Sequence, residues 1–354
     1  MEAERVLVSD ATVLAGRALD PVTEAAVALA NGRIVAVGDT GAAPGDTVVD
    51  ASGLLLIPGF IDSHVHIGLA DPAAVLRRGV TTVRDLGWPE EIVFGLARAS
   101  RSPAFDGPLI LAAGPMLTAP GGYPTRAAWA PDGTGLAVAD PDEAVAAVTR
   151  LATAGASVIK IALNPPAGPT LESSVLSAIA RTAHSFSLKV TGHIHGLREL
   201  DRALDAGVDE LAHMLMGEEV LPDPVVERMA GAGTVIVPTL SVRRGEDRTI
   251  AVSNLARFRV AGGRAVYGTD LGNEGPRPGI DPLEVQAMAA AGYSAREIVA
   301  SATAHAAAHL GLERKGSIAP GMDADLVAVP GAALDDPMNL CDVRMVWREG
   351  RRVV

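Results

Sequence analysis

Eight short apolar runs, each followed by a segment with helical patterning, occupy the middle of this 354-residue chain. They cover residues 55–66, 79–86, 108–115, 157–163, 187–194, 208–214, 234–239 and 265–270. Most are near-continuous stretches of Val, Ile and Leu, as in a parallel strand that is covered on both faces. The predicted helices have clear end signals; Asp140 and Pro141, for example, begin a helix that Gly155 ends. This alternation predicts an α/β fold, a (β/α)8 TIM barrel.

Both ends of the chain have strand patterning instead. Residues 25–30 and 33–38 flank Asn31-Gly32, a favoured two-residue hairpin turn. Residues 324–329 and 343–354 also read as strands, the latter with a turn at Glu349-Gly350. We therefore expect a small flanking β-sandwich domain formed by both termini, residues 1–57 and 320–354, and a barrel over residues 58–319.

The composition argues against several classes of partner. The formal net charge is −12 and no block of like charge is present, which disfavours a nucleic acid or an anionic membrane. The lone Cys341 excludes an internal disulfide and a multi-thiolate metal site. Because no signal peptide or membrane-spanning apolar segment is visible, we expect a cytoplasmic protein that acts on a small molecule. Whether it forms a homo-oligomer stays open.

Histidines cluster at the ends of the predicted strands. Five of the eight in the chain lie there, namely His64, His66, His193, His195 and His213. Asp270 ends the eighth predicted strand. Active-site residues of such barrels lie at the C-terminal ends of strands, and imidazoles with a carboxylate suit zinc, iron, manganese or nickel. One ion would bind to His64, His66 and Asp270. A second would bind to His193 and His213.

Lys160 lies inside the fourth predicted strand and is one of only three lysines, with Lys189 and Lys315. A protonated amine about 4 Å from a dication is repelled by several kcal/mol, even at an effective dielectric constant of about 20. Buried lysines lose their proton readily, however, and a neutral amine can react with CO₂ to form a carbamate. A carboxylated Lys160 would be an anion able to bridge two metals. The alternative is a lysine on the outer face of the barrel.

Together these stretches resemble the amidohydrolase superfamily, in particular its imidazolonepropionase-like and prolidase-like metal-dependent hydrolases. The matching segments are PGFIDSHVHIG, GVTTVRDLG, VIKIAL, VTGHIHG, AGVDELAHM, YGTDLG and GSIAPGMDADLVAV. The resemblance covers almost the whole chain. It implies a (β/α)8 barrel with a small β domain from both termini, and hydrolysis of an amide or other C–N bond.

The resemblance also implies a set of site residues. The centre would hold two divalent metal ions, with zinc as the expected metal, on His64, His66, carboxylated Lys160, His193, His213 and Asp270. A hydroxide bridging the metals would attack the substrate, with Asp270 as the catalytic proton shuttle. Apart from the resemblance, His195 lies two residues past His193 on the same strand face, so we expect it to contact substrate or the developing oxyanion as a further catalytic residue. Tyr123 is a second candidate for substrate binding. Arg84, Arg126, Arg243 and Arg244 lie near strand ends and could meet a substrate carboxylate.

Two departures from the family pattern bear on specificity. Only 12 residues separate His66 from Gly79, which predicts a more open active site on that side. The loop after the third strand reads Ala119-Pro120-Gly121-Gly122-Tyr123 where relatives often carry Gly-Gly-His, so dipeptidase specificity stays open. A mononuclear deaminase of the same superfamily, a lactonase or phosphoesterase, and a non-catalytic scaffold are the alternatives. His184, His305 and His309 are interpreted as structural or surface residues, and the orientation of Asp62 stays open.

Overall fold

A computed structural model describes residues 5–215, 217 and 220–354. Within these residues the strands are β1 (Val6–Ala15), β2 (Asp20–Ala30), β3 (Arg33–Gly38), β4 (Thr47–Asp50), β5 (Leu54–Pro58), β6 (Phe60–Val65), β7 (Val80–Asp85), β8 (Leu109–Ala112), β9 (Met116–Thr118), β10 (Gly135–Ala137), β11 (Ile159–Leu163), β12 (Val190–Ile194), β13 (Glu210–Leu211), β14 (Val235–Ile236), β15 (Arg264–Ala265), β16 (Leu326–Pro330), β17 (Met345–Arg348) and β18 (Arg351–Arg352). The helices are α1 (Pro72–Arg77), α2 (Glu90–Ala99), α3 (Pro141–Ala154), α4 (Ser173–Ser185), α5 (Leu197–Ala206), α6 (Asp223–Gly231), α7 (Gly245–Val260), α8 (Pro282–Ala290), α9 (Ala295–Ala302) and α10 (Ala304–His309).

Strands from both ends of the chain form one mixed sheet, in the order β18-β17-β16-β5-β1-β2-β3 with β4 beside β1. The predicted hairpin turn at Asn31-Gly32 is confirmed, since both residues adopt positive φ (52° and 75°) between β2 and β3. The turn at Glu349-Gly350 is confirmed in the same way between β17 and β18. The antiparallel pairing of β5 with β16 confirms that the two termini meet in one sheet.

Parallel strands make up the middle of the chain. One sheet has the order β6-β7-β8 and the other β10-β9-β11-β12-β13-β14-β15. Hydrogen bonds link the two sheets on both sides: Ser157 N donates to Ala112 O at 2.8 Å, beside β8 and β11, and Ser63 N donates to Tyr267 O at 2.9 Å. Across these links the strands follow one another in the predicted order, with helices between them.

Two predicted elements are wrong in their extent. The strand expected over residues 55–66 divides at Gly59, because Gly59 N donates to Asp325 O in the terminal sheet whereas Phe60 N donates to Gly79 O in the parallel sheet. A side chain at position 59 would collide with Thr81. The sequence also predicts one helix from Ser294 to Gly311, but it divides at Thr303, whose hydroxyl donates to Val299 O at 2.6 Å.

Helix ends agree well with the sequence signals. Asp140 caps α3 by accepting from the backbone of Asp142 and Glu143, and Gly155 ends that helix with φ of 104°. Ser294 and Glu297 form a capping box at α9. None of the helices in the described ranges has the length and hydropathy needed to cross a lipid bilayer.

Candidate metal centre

The six predicted ligands converge on one cavity of about 390 Å³ at the C-terminal ends of the parallel strands. They are His64 at the end of β6, His66 just after it, Lys160 in β11, His193 in β12, His213 after β13, and Asp270 in the segment after β15. All six are at most 6% exposed. The six side chains come together because neighbouring parallel strands have their carboxyl ends at the same edge of the sheet.

His64, His66 and Asp270 form the tighter of two groups. The Nε2 atoms of His64 and His66 lie 3.1 and 3.2 Å from Asp270 Oδ1. Candidate ligand atoms of all three residues lie within 4.8 Å of one another. Asp270 adopts φ of 60°, an uncommon backbone conformation of a kind that clusters at functional sites.

Hydrogen bonds set the orientation of both imidazoles in this group. His64 Nδ1 lies 2.6 Å from Ala212 O and His66 Nδ1 lies 3.0 Å from Gly87 O. Because a carbonyl only accepts, each Nδ1 carries a hydrogen, so Nε2 is the nitrogen that faces Asp270 and has a lone pair whenever the ring is neutral. Burial lowers the pKa of His64 well below its usual value, with Lys160 adding to the effect. Burial also opposes charge on His66, but its contacts with Asp270 raise the pKa of that imidazole.

This group fits a bound cation. Within the described residues, His64 Nε2 and Asp270 Oδ1 are buried and have no hydrogen-bond partner, although two electron-rich atoms face each other at 3.1 Å. Such an arrangement is costly unless a cation lies between the atoms. Ligands that share one zinc at about 2.0–2.2 Å in tetrahedral geometry are themselves roughly 3.3–3.6 Å apart, which is close to both contacts with Asp270.

His193 and His213 form the second group. His193 Nδ1 and His213 Nε2 are 3.0 Å apart, again close to the spacing of two atoms that share one ion. Asn164 Nδ2 lies 3.1 Å from His193 Nε2, and Thr239 Oγ1 lies 2.9 Å from His213 Nδ1. These outer contacts hold the rings so that their other nitrogens face each other. His193 Nδ1 has a lone pair for an ion when the Asn164 amide is turned so that its Oδ1, which has no partner among the described residues, accepts from Nε2–H. Burial lowers the pKa of both imidazoles well below the usual range, so both are neutral.

Lys160 lies in the same cavity and is 1% exposed. Burial lowers the pKa of its amine to about 7, although Asp270 and Glu210 oppose the shift. A substantial fraction is therefore neutral at neutral pH, which is the form that reacts with CO₂. The alternative of a lysine on the outer face does not agree with this position.

A buried ion pair supports the strands that carry the ligands. Arg84 in β7 donates to Glu210 at 2.7 Å and to Ser63 O at 2.8 Å. Glu210 also accepts from Thr191 and lies 2.6 Å from His309 Nε2. Burial alone would raise the pKa of Glu210, but Arg84 and these hydrogen bonds lower it to about 2. Arg84 is therefore occupied in holding neighbouring strands together.

Asp62 is a structural residue at the same depth. It accepts hydrogen bonds from His64 N and from both the backbone and the hydroxyl of Thr269. Burial raises its pKa to about 7, opposed by these hydrogen bonds. It joins β6 to the segment that carries Asp270 and has no direct contact with a substrate cavity.

Two aromatic residues from the loop between β9 and β10 cover the ligands. The Tyr123 ring stacks on His193 with centroids 4.6 Å apart and an interplanar angle of 24°. The Trp129 ring packs on His66 at 4.8 Å, and its Nε1 donates to the Tyr123 hydroxyl at 3.1 Å. Burial, with Asp270 nearby, raises the pKa of Tyr123 to about 12, so the phenol is neutral.

His195 lies apart from this cavity. It is only half-buried and lines a neighbouring cavity with the turn at Pro165–Ala167 and the start of α5. Its predicted contact with substrate therefore depends on a substrate that reaches beyond the ligand cavity. Of the other histidines, His184 is exposed and bonds to Asp209, His305 is exposed, and His309 contacts Glu210 instead of sharing an ion with His305.

Sequence reasoning missed three residues at this site: Trp129, Asn164 and Thr239. Asn164 and Thr239 follow strand ends and had a positional signal, but neither belongs to a ligand type that draws attention. Trp129 lies 11 residues after the last residue of β9. Because the chain has only three tryptophans, a tryptophan in a loop after a strand end could have been noted as a candidate site residue.

Comparisons with known proteins show what the chain is similar to. A profile of the amidohydrolase family matches residues 55–353. The "Adenine deaminase 2" of Rhizobium meliloti (strain 1021) is 29% identical over 343 residues, covering 90% of this chain and 53% of that protein. The "N-acyl-D-aspartate deacylase" of Alcaligenes xylosoxydans xylosoxydans is 44% identical over 82 residues, covering 22% of this chain and 16% of that protein.

A solved structure gives the same fold. The crystal structure of a Xaa-Pro dipeptidase with bound methionine in its active site superposes with a TM-score of 0.84, at 24% identity and 99% coverage of both chains. This likeness concerns the fold alone. By length, this chain spans about half of the adenine deaminase that it matches.

Proposed function

Because this chain belongs to the amidohydrolase family, as its motifs predicted, we propose that it is a metal-dependent hydrolase that cleaves an amide or other C–N bond at a two-metal centre. One observation carries the proposal: the histidine pairs His64–His66 and His193–His213, together with Asp270 and Lys160, line one cavity. Burial lowers the pKa of the Lys160 amine to about 7, so it can lose its proton. The substrate would be an N-acyl amino acid, a dipeptide or a cyclic amide.

The finer architecture is part of the same proposal. The parallel strands would close into a (β/α)8 barrel over residues 58–319, supported by the hydrogen bonds that link the two sheets on both sides. The described part of residues 1–57, with residues 320–354, would form the flanking β-sandwich domain. The barrel would thus present the ligand cavity at the C-terminal ends of its strands.

The two ions would be held by His64, His66 and Asp270 on one side and by His193 and His213 on the other, with carboxylated Lys160 between them. Two divalent cations, with zinc as the expected metal, lower the pKa of a bound water and polarise a scissile carbonyl. Asp270 Oδ2, the oxygen that does not face His64 and His66, lies 3.8 Å from His213 Nδ1. It can therefore accept a proton from water and deliver it to the leaving nitrogen.

A second candidate is a mononuclear deaminase, favoured by the adenine deaminase match over 90% of the chain. Such an enzyme would use His64, His66 and Asp270 and would not need Lys160. Elemental analysis and a substrate screen separate the two. The test uses metal-loaded protein with N-acetyl-L-phenylalanine, L-methionyl-L-proline, dihydrouracil, γ-butyrolactone and adenine.

About two ions per chain and turnover of an amide in this panel are the expected results. About one ion with release of ammonia from adenine would favour the deaminase. Turnover of the lactone alone would move the reaction class to C–O bonds. No bound metal and no turnover would overturn both candidates and restore the non-catalytic alternative.

Arg244 is the arginine best placed to meet a substrate carboxylate. It lines the ligand cavity, its side chain is 56% exposed, and its only ion-pair neighbour in the described residues is the fully exposed Glu274 at 3.9 Å. Such a pair contributes little. Arg243, by contrast, is buried and donates to both carboxylate oxygens of Asp247. Arg126 is exposed and lies outside the residues that line this cavity.

Replacing Arg244 by alanine is expected to raise KM for N-acetyl-L-phenylalanine about tenfold, because one charge-assisted contact is lost. The kcat value should stay close to wild type, and KM for neutral acetanilide should not change. The matched control is Arg248→Ala in α7, the helix that follows Arg244, because the Arg248 guanidinium donates to Leu283 O outside the cavity. Equal effects on the charged and neutral substrates would contradict the assignment.

A further inference from the structure

The aromatic pair Tyr123–Trp129 spans both ligand groups. Tyr123 stacks on His193, which belongs to one group, and Trp129 packs on His66, which belongs to the other. Both residues are half-buried, and Tyr123 lines the ligand cavity. A substrate bound in the ligand cavity would therefore lie beside Tyr123.

The loop that carries the pair is held in place by its own backbone contacts. Thr125 donates from its hydroxyl to Gly122 O at 2.6 Å, and Ala127 N donates to Pro124 O at 2.9 Å. A Cβ atom at Gly122 would collide with the Thr118 hydroxyl and the Pro169 carbonyl, so only glycine lets the loop pack this closely. The position of Tyr123 is thus fixed relative to β9.

The direction of the hydrogen bond between the two rings follows from chemistry. An indole N–H can only donate, so the 3.1 Å contact makes the Tyr123 oxygen an acceptor. The phenol keeps its own O–H as a donor, and that donor has no acceptor within the described part of the chain. Because Tyr123 lines the ligand cavity, this O–H is available to a group that binds there.

We propose that Trp129 is a positioning residue, which orients the Tyr123 hydroxyl as a hydrogen-bond donor to the carbonyl oxygen of the substrate as that oxygen gains negative charge. This inference rests on the proposed hydrolase function. No proton is transferred in this role, since the phenol stays neutral and only shares its hydrogen. A preoriented donor of this kind stabilises the transition state more than the ground state.

The kinetic test is a double-mutant cycle on metal-loaded enzyme with N-acetyl-L-phenylalanine, or the member of the panel that the wild type hydrolyses best. Tyr123→Phe should lower kcat about 10- to 100-fold, with KM within about threefold of wild type. Trp129→Phe keeps a ring on His66 but loses the N–H, and should lower kcat about tenfold. In the Tyr123→Phe background, Trp129→Phe should have less than about a twofold further effect.

Two outcomes of the cycle would overturn the proposal. One is multiplication of the two single effects in the double variant, which is the result expected of independent packing roles. The other is loss of bound metal in Trp129→Phe, because the fall in kcat would then come from the contact with His66. The matched control is Trp347→Phe in the terminal sheet, whose Nε1 has no partner among the described residues and which should leave kcat unchanged.

A second measurement does not depend on turnover. In ¹H–¹⁵N spectra, the three tryptophan side chains give separate indole signals, and Trp129→Phe assigns one of them. In Tyr123→Phe that signal should shift upfield because its acceptor is lost, whereas those of Trp88 and Trp347 should not move. An unmoved signal would overturn the proposal even if the wild type is active. If the wild type were inactive but the signal shifted as expected, the proposed hydrolase function would be wrong, whereas the hydrogen bond between Trp129 and Tyr123 would be confirmed.

Discussion

Replacing Asp270 by asparagine is expected to lower kcat about a thousandfold while the protein keeps its fold. The side chains have the same shape, so the Oδ1 position that faces His64 and His66 at 3.1 and 3.2 Å can stay filled by an oxygen. What is lost is the carboxylate charge and the group that accepts and returns a proton. General acid–base catalysis contributes about 10²–10⁴-fold, which sets the expected size. Steady-state kinetics on metal-loaded variants measure it.

The control for this variant is another Asp-to-Asn change in the same cavity. Asp247 lines the cavity but is paired with Arg243 through both oxygens, at 3.0 and 2.9 Å. Asp247→Asn should therefore lower kcat by less than about tenfold. Thermal unfolding and metal content should stay close to wild type in both variants. Turnover of Asp270→Asn within tenfold of wild type would remove Asp270 as the proton shuttle.

The ligand positions could be predicted because they depend on local order. Each of His64, His193 and His213 lies at or next to the end of a strand, and parallel strands bring those ends together whatever the helices do. Lys160 could be placed because an apolar strand gives its side chain few other places to lie. The positions of these histidines and of Lys160 could therefore be predicted without knowing the conformation of any loop.

Contacts between distant segments could not be predicted. Glu210 meets His309 across 99 positions, and that meeting depends on where the short helix α10 docks after the break at Thr303. The sequence from 294 to 311 has continuous helical patterning, so the break comes from tertiary packing, with Gly316 against the Thr303 carbonyl. The interpretation of His309 as a structural or surface residue could not specify its contact with a buried carboxylate for the same reason.

The position of His195 shows a similar limit. Alternation along a strand places His193 and His195 on the same face, but β12 ends at Ile194 and the chain then turns into α5. His195 therefore faces the cavity beside the 165–167 turn. Periodicity predicts direction only as far as the strand continues. Trp129 differs from His195 because it lies in a loop without regular secondary structure, where periodicity predicts no direction, yet its ring packs directly on the metal-ligand candidate His66.

Replacing Lys160 by alanine is expected to remove one of two bound ions. Burial lowers the pKa of this amine to about 7, so a protonated and a neutral form coexist near neutral pH. The neutral amine and CO₂ form a carbamate with release of one proton, and the carbamate adds the negative charge that His193 and His213 lack. Without it, two neutral imidazoles must hold a dication alone. Elemental analysis should give about one ion per chain, with kcat lowered at least about a hundredfold.

Lys189→Ala is the matched control, because Lys189 is exposed and its Nζ donates to His309 O away from the cavity. That variant should keep about two ions. Alanine at position 160 leaves room for a small carboxylate, so acetate should restore part of the second ion and part of the turnover, whereas chloride at equal ionic strength should not. Metal uptake by the wild type should also depend on added bicarbonate. If Lys160→Ala kept both ions without acetate, the negative charge between the two His groups would have to come from another residue, and the carbamate would have no role.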